Sequence, residues 1–112
     1  MNAEELTTAV AGSLEIKTDM GRAIIPIAFE CINLFDRKQQ DYGSSNIAMS
    51  GDLGVAVRLT DKVCRLQHLL RKRIKNEGDA AVELQNESIE DTFMDTANYG
   101  LIGMMLERGI WK

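Results

Sequence analysis

Positive charge is not in excess in this sequence: 13 Lys and Arg face 17 Asp and Glu, for a net charge of -4. Nonspecific nucleic-acid binding needs the opposite balance to neutralise phosphates, so no direct nucleic-acid contact is expected. Long apolar runs are missing as well. None approaches the roughly 18 residues that a membrane span requires, and no secretory leader is evident at the start. The two cysteines, Cys31 and Cys64, lack CxxC spacing. That points to free thiols in a reducing compartment, the cytoplasm, rather than to a disulfide or a metal knuckle. Histidine occurs once, as His68 on a charged helix face, a setting that favours the surface over metal ligation. No stretch alternates polar and apolar residues and no segment repeats, which leaves helices as the building material.

At 112 residues there is room for one domain and one modest core. Hydrophobic residues at 45% and charged residues at 27% are the proportions of a folded protein rather than a disordered tail. A first, weakly patterned helix is predicted over residues 3–16. Thr18 and Asp19 then offer an N-cap for a second at about residues 21–41. Pro26, the single proline, requires that helix either to start late or to bend, because an interior proline loses a backbone donor and crowds the preceding turn. From Ile27 on, Ile27, Cys31, Leu34, Phe35 and Lys38 share one side, opposite Glu30, Asn33, Arg37 and Asp41.

The stretch "DYGSSNIAMSGDLG" has the glycine and serine content of a long connecting loop, the kind that often binds ligands. A third helix is predicted over about 53–75, with Leu59, Val63, Leu66 and Leu70 inward and Arg58, Asp61, Arg65, His68 and Lys72 opposite. A turn around Gly78 leads to a last helix running from about Val82 or Glu87 to Glu107, with Ile89, Phe93, Ala97, Leu101 and Met104 as its buried stripe. The fold class is therefore all-α, an antiparallel bundle of about four helices. Met94, Met104 and Met105 suit core or interface filling. Trp111 either covers a subunit contact or closes the bundle end.

The last helix opens with "ESIEDTFMDTANYG", which places Glu87, Asp91, Asp95 and Asn98 within an arc of roughly 80°. Like charges four residues apart weaken a helix, so something must balance them. Two candidates exist: a hard divalent cation such as Mg2+, suited to oxygen-only ligands, or the Arg58, Arg65 and Lys72 row of the preceding helix. Asp61 with Arg58 and Arg65 forms intrahelical ion pairs in the second case.

Three segments in order, "KQQDYG" (Lys38, Asp41, Tyr42, Gly43), "RLTDKVCRLQHLL" (Arg58, Asp61, Lys62, Arg65) and "ESIEDTFMDTANYG" (Glu87, Asp91, Asp95, Asn98, Tyr99), resemble nucleotide modification associated domain type 1. The likeness runs from about residue 29 to 106. That family is common in bacteriophages and looks like a branch of the MazG-like all-α nucleoside triphosphate pyrophosphohydrolases. The resemblance implies a homodimer or homotetramer in the cytoplasm, that of the host if phage-encoded. Such an assembly would use Mg2+, or Mn2+ in its place, to cleave a (d)NTP to monophosphate and pyrophosphate in nucleotide-pool control or modified-base DNA metabolism. Carried onto this chain, Glu87, Asp91 and Asp95 are the catalytic and metal-binding acids, with Asp61 as a further ligand. Arg58, Lys62, Arg65 and Lys38 meet phosphates, and Asp41, Tyr42, Asn46, Asn98 and Tyr99 meet the nucleotide. Tyr42 either stacks on the base or packs on its own scaffold. MazG-like enzymes carry ExxE on one helix and ExxD on the next, whereas here Asp61 is followed by Lys62 and Arg65, so half of that acid set is missing. A nucleotide-binding module without turnover and a purely structural helical oligomer are the alternatives.

Overall fold

The computed structural model describes residues 1–76 and 82–112, with side chains throughout except at 82–85. Among these residues the protein is all-helical, with α1 at Ala3–Ser13, α2 at Asp19–Tyr42, α3 at Ser45–Lys75 and α4 at Val82–Glu107. No helix among them is long and apolar enough to cross a membrane. The turn expected around Gly78 lies outside the described residues. The chain divides into two compact units, residues 1–37 and 38–112.

In the first unit α1 starts where the Asn2 side chain accepts the Glu5 N–H at 2.8 Å, satisfying one of the donors a helix start leaves open. It stops at Ser13, short of the expected residue 16, because Glu15 turns left-handed at φ 54° and Ile16 N–H folds back onto Ala11 C=O at 2.9 Å. Thr18 caps α2 as its sequence suggests, its Oγ1 accepting the Gly21 N–H at 2.9 Å. Arg22 donates to Glu4 at 3.0 Å and to Thr8 at 2.8 Å, joining α1 to the start of α2. Pro26 lies inside α2 rather than at its first turn; the helix runs through it, one backbone hydrogen bond short.

The second unit is built on α3 packed against α4. Their pairing is antiparallel: Lys62 meets Asp95 near the middle and Arg73 meets Asn86 toward one end. Buried apolar contacts come from Ile47, Val55, Leu66, Ile89 and Ile102. Trp111 closes one end of this unit, donating its indole N–H to Ser44 C=O at 3.0 Å, while Gly109 at φ 68° ends α4.

Three expectations change here. Val63, placed inward on the third helix, is exposed, while Leu66 of the same stripe is buried. The long loop predicted over residues 41–54 is mostly helix: only Gly43 and Ser44 separate α2 from α3, and α3 begins with a short helical segment that breaks at Gly51. Glycine and serine content signalled the break but not the helical turns on either side. The stripe predicted for α4 is also rotated. Ile89 is buried, but Phe93, Leu101 and Met104 are about half exposed and Ala97 is exposed. The inner face carries Thr92, Asn98 and Ile102 instead. Thr92 and Thr96 tolerate that position because each hydroxyl donates to its own helix, to Ser88 C=O and Thr92 C=O at 2.7 Å, so no buried donor is stranded.

Gly51 sits at φ 60°, ψ -153°, a conformation closed to residues with a Cβ. Gly51→Ala should cost about 1–3 kcal/mol of stability. Gly100, on the exposed side of α4 with open space around it, should gain up to about 1 kcal/mol as Gly100→Ala. Urea unfolding of both variants checks the opposite signs.

Candidate functional site

The third helix brings its charged residues together by turn spacing. Arg58, Lys62 and Arg65 stand four and three residues apart, so they fall on one face. With Asp61 and with Tyr99 of α4 they line a pocket of about 450 Å³. Arg58 is partly buried, and its Nη1 is shielded from solvent with no hydrogen-bond partner. A guanidinium nitrogen held dry without an acceptor loses hydration that nothing repays inside the chain. The same residue lines the pocket, so its guanidinium is a positive charge that the described residues do not themselves neutralise there.

Beside this pocket lies a charge contact that joins three helices. Asp95 receives Lys38 Nζ on Oδ1 at 2.9 Å and Lys62 Nζ on Oδ2 at 3.1 Å. Burial alone would raise the Asp95 carboxyl, but hydrogen bonds and charge from Lys38 and Lys62 outweigh it and hold the group below its ordinary value. Lys38 ends up on this carboxylate rather than in the pocket lining.

The acidic ridge is split by this arrangement. Glu87 and Asp91 are exposed on α4, Asp95 is turned inward to two lysines, and Asn98 is buried. Among the described residues no three His, Cys, Asp or Glu side chains come together as a metal set. A resident cation held by Glu87, Asp91, Asp95 and Asp61 of one chain does not fit these positions, because two ammonium groups already occupy Asp95. Of the proposed nucleotide contacts, Tyr99 reaches the pocket, whereas Asp41, Tyr42 and Asn46 are exposed and outside its lining. Sequence spacing found the basic row; it could not find the Lys38–Asp95–Lys62 contact, whose members are far apart along the chain.

A second hollow, of about 500 Å³, is lined by Val55, Leu59, Gly103 and Met104 together with Asp52, Glu107 and Arg108. A hydrogen bond with Asp52 and its charge raise the Glu107 carboxyl. Its apolar walls, with two carboxylates against the single cation Arg108, make it a poorer host for phosphate than the pocket of α3.

The family model of nucleotide modification associated domain 1 matches residues 38–106, and the chain belongs to that family. The match begins at Lys38 and contains the whole pocket together with Asp95. No curated protein and no solved structure matches the chain.

Because the folded Asp95 is held below its unfolded value, the stability it adds is present above the unfolded pKa and is lost as pH falls through the folded one. That window lies below about pH 4. Asp95 keeps some solvent contact, with its side chain 19% exposed, so screening limits the effect. Asp95→Asn should cost about 1 kcal/mol at pH 7 and progressively less as pH falls below about 4, which thermal melts across that range would read.

Proposed function

We propose that this member of the nucleotide modification associated domain 1 family binds (d)NTPs through the pocket of α3 and Tyr99, and acts on them as a MazG-like nucleoside triphosphate pyrophosphohydrolase in the cytoplasm. The observation that carries the binding half is the convergence of Arg58, Lys62, Arg65 and Tyr99 on one pocket whose single carboxylate is Asp61. Guanidinium groups match phosphate oxygens in a planar fork, and lysine adds a mobile point charge. Tyr99 supplies an aromatic face suited to stacking on a base. In this proposal Mg2+ arrives with the triphosphate as part of the substrate, a common way for a reluctantly dehydrating ion to enter a phosphate site. The reaction would release monophosphate and pyrophosphate. Binding without turnover is the second reading; it is favoured by the lysines on Asp95 and by the exposure of Glu87 and Asp91.

Assembly belongs to the same proposal. Phe93, Leu101 and Met104 of α4, with Leu53, Val57 and Val63 of α3, leave much apolar surface open, and such surface on a small protein marks a contact face. A homodimer or homotetramer would cover it.

Incubation with each common NTP and dNTP plus Mg2+ or Mn2+ separates the two readings. Monophosphate and pyrophosphate as products support hydrolysis, saturable binding without them supports the module, and absence of both sinks the proposal. Arg58→Gln should weaken nucleotide binding about ten- to hundredfold, and Tyr99→Ala should weaken nucleotides more than inorganic pyrophosphate. Light scattering at micromolar concentration should give a dimer or tetramer, and Phe93→Ser with Leu101→Ser should shift it toward monomer; a monomeric starting protein would remove the assembly part.

A further inference from the structure

Lys62 belongs to two sites at once. Its Nζ lies 3.1 Å from Asp95 Oδ2, yet its side chain also lines the pocket with Arg58, Arg65 and Tyr99. The other oxygen of Asp95 already holds Lys38 Nζ at 2.9 Å. One carboxylate therefore faces two ammonium groups, one positive charge more than it can neutralise. Losing Lys62 would leave Asp95 still paired and hydrogen-bonded, so the exchange does not strand a partly buried charge. A lysine ammonium on its flexible stem is also the kind of group that can change partners without moving the backbone.

We propose that Asp95 holds Lys62 in waiting, and that a polyphosphate entering the pocket takes Lys62 over while Asp95 stays with Lys38. The contact is autoinhibitory, since every anion that needs Lys62 must first compete with Asp95, and its apparent affinity falls by the fraction of molecules in which Lys62 is free. Polyphosphates suit the exchange best. They carry enough charge to bridge Arg58 and Arg65 and still draw Lys62, one turn from each, off a singly charged carboxylate. Arg58 and Arg65 assist, because both line the same pocket and supply the other positive charges the anion would bridge. Asp95 is thus a positioning residue acting through Lys62. This inference deepens the proposed nucleotide site and rests on it.

The test is a double-mutant cycle on the full chain, read by isothermal titration calorimetry with inorganic pyrophosphate at pH 7 and low salt. Asp95→Asn should bind pyrophosphate about two- to fivefold more tightly than wild type, the range expected when a partly exposed ion pair no longer competes. Lys62→Gln should bind more weakly, and adding Asp95→Asn to it should change affinity less than about twofold. Tightening of the same size in both backgrounds means simple relief of charge repulsion and overturns the exchange, as does an Asp95→Asn protein that binds no better than wild type. If Asp95→Asn does not fold, Lys38→Gln serves instead: Asp95 then depends on Lys62 alone, and pyrophosphate binding should weaken by about two- to fivefold; an unchanged affinity there overturns the exchange. Binding that needs Arg58 but shows no coupling between Asp95 and Lys62 defeats this inference and spares the site. No pyrophosphate binding by any variant or by wild type defeats both.

Discussion

One carboxylate organises the second unit. Asp95 projects from the inner face of α4 and takes an ammonium group from the end of α2 and another from the middle of α3. A carboxylate in that place is unfavourable by desolvation and acceptable only with partners, so it constrains what can stand opposite it. Lys38 and Lys62 meet that constraint. In doing so they fix how α4 lies along α3 and bring the last turns of α2 to the same point. The energy of the contact is modest because solvent reaches part of it; its larger effect is on register, since sliding α4 along α3 by a turn would carry Asp95 away from Lys62.

The polar inner face has a cost elsewhere. With Asp95, Asn98, Thr92 and Thr96 occupying inward or partly inward positions on α4, the space between α3 and α4 holds few large apolar side chains, and no side chain among the described residues is fully enclosed. Apolar residues that would normally form the core, such as Phe93 and Leu101, are displaced to the outside. The same choice that makes a charged pocket possible thus leaves the unit with unburied hydrophobic surface.

That choice also explains which parts of the structure the sequence revealed. Helix existence and the basic row of α3 follow from 3.6-residue spacing, and the cap at Thr18 from side-chain chemistry. The inward face of α4 does not. A periodicity argument assigns the most apolar stripe to the core, but Ile89 belongs to both candidate stripes, and the next turns had to be decided between Phe93, Ala97 and Leu101 on one side and Thr92, Thr96 and Ile102 on the other. Threonines that bond to their own helix can be buried at little cost, and an aspartate can be turned inward when lysines from two other helices meet it. Both facts depend on contacts distant in sequence. The break at Gly51 shows the same limit: glycine marks where the backbone turns without saying that helix continues on both sides.

The crowded acids of "ESIEDTFMDTANYG" are accordingly not one set. Glu87 and Asp91 keep their hydration on the outside of α4, where like charge one turn apart costs only a few tenths of a kcal/mol. Asp95 is the one member that pairing turns to use. In the pocket itself the two guanidinium groups of Arg58 and Arg65 stand against the single carboxylate of Asp61, while Lys62 is partly neutralised by Asp95. The pocket's own side chains therefore carry only a mild net positive charge, which limits the repulsion among its cations and lets three of them share one face. In the proposed exchange, the charge that a phosphate ligand would draw on is held beside the pocket, on a carboxylate that has a second lysine to fall back on, so the pocket would become more basic as the anion takes Lys62 over.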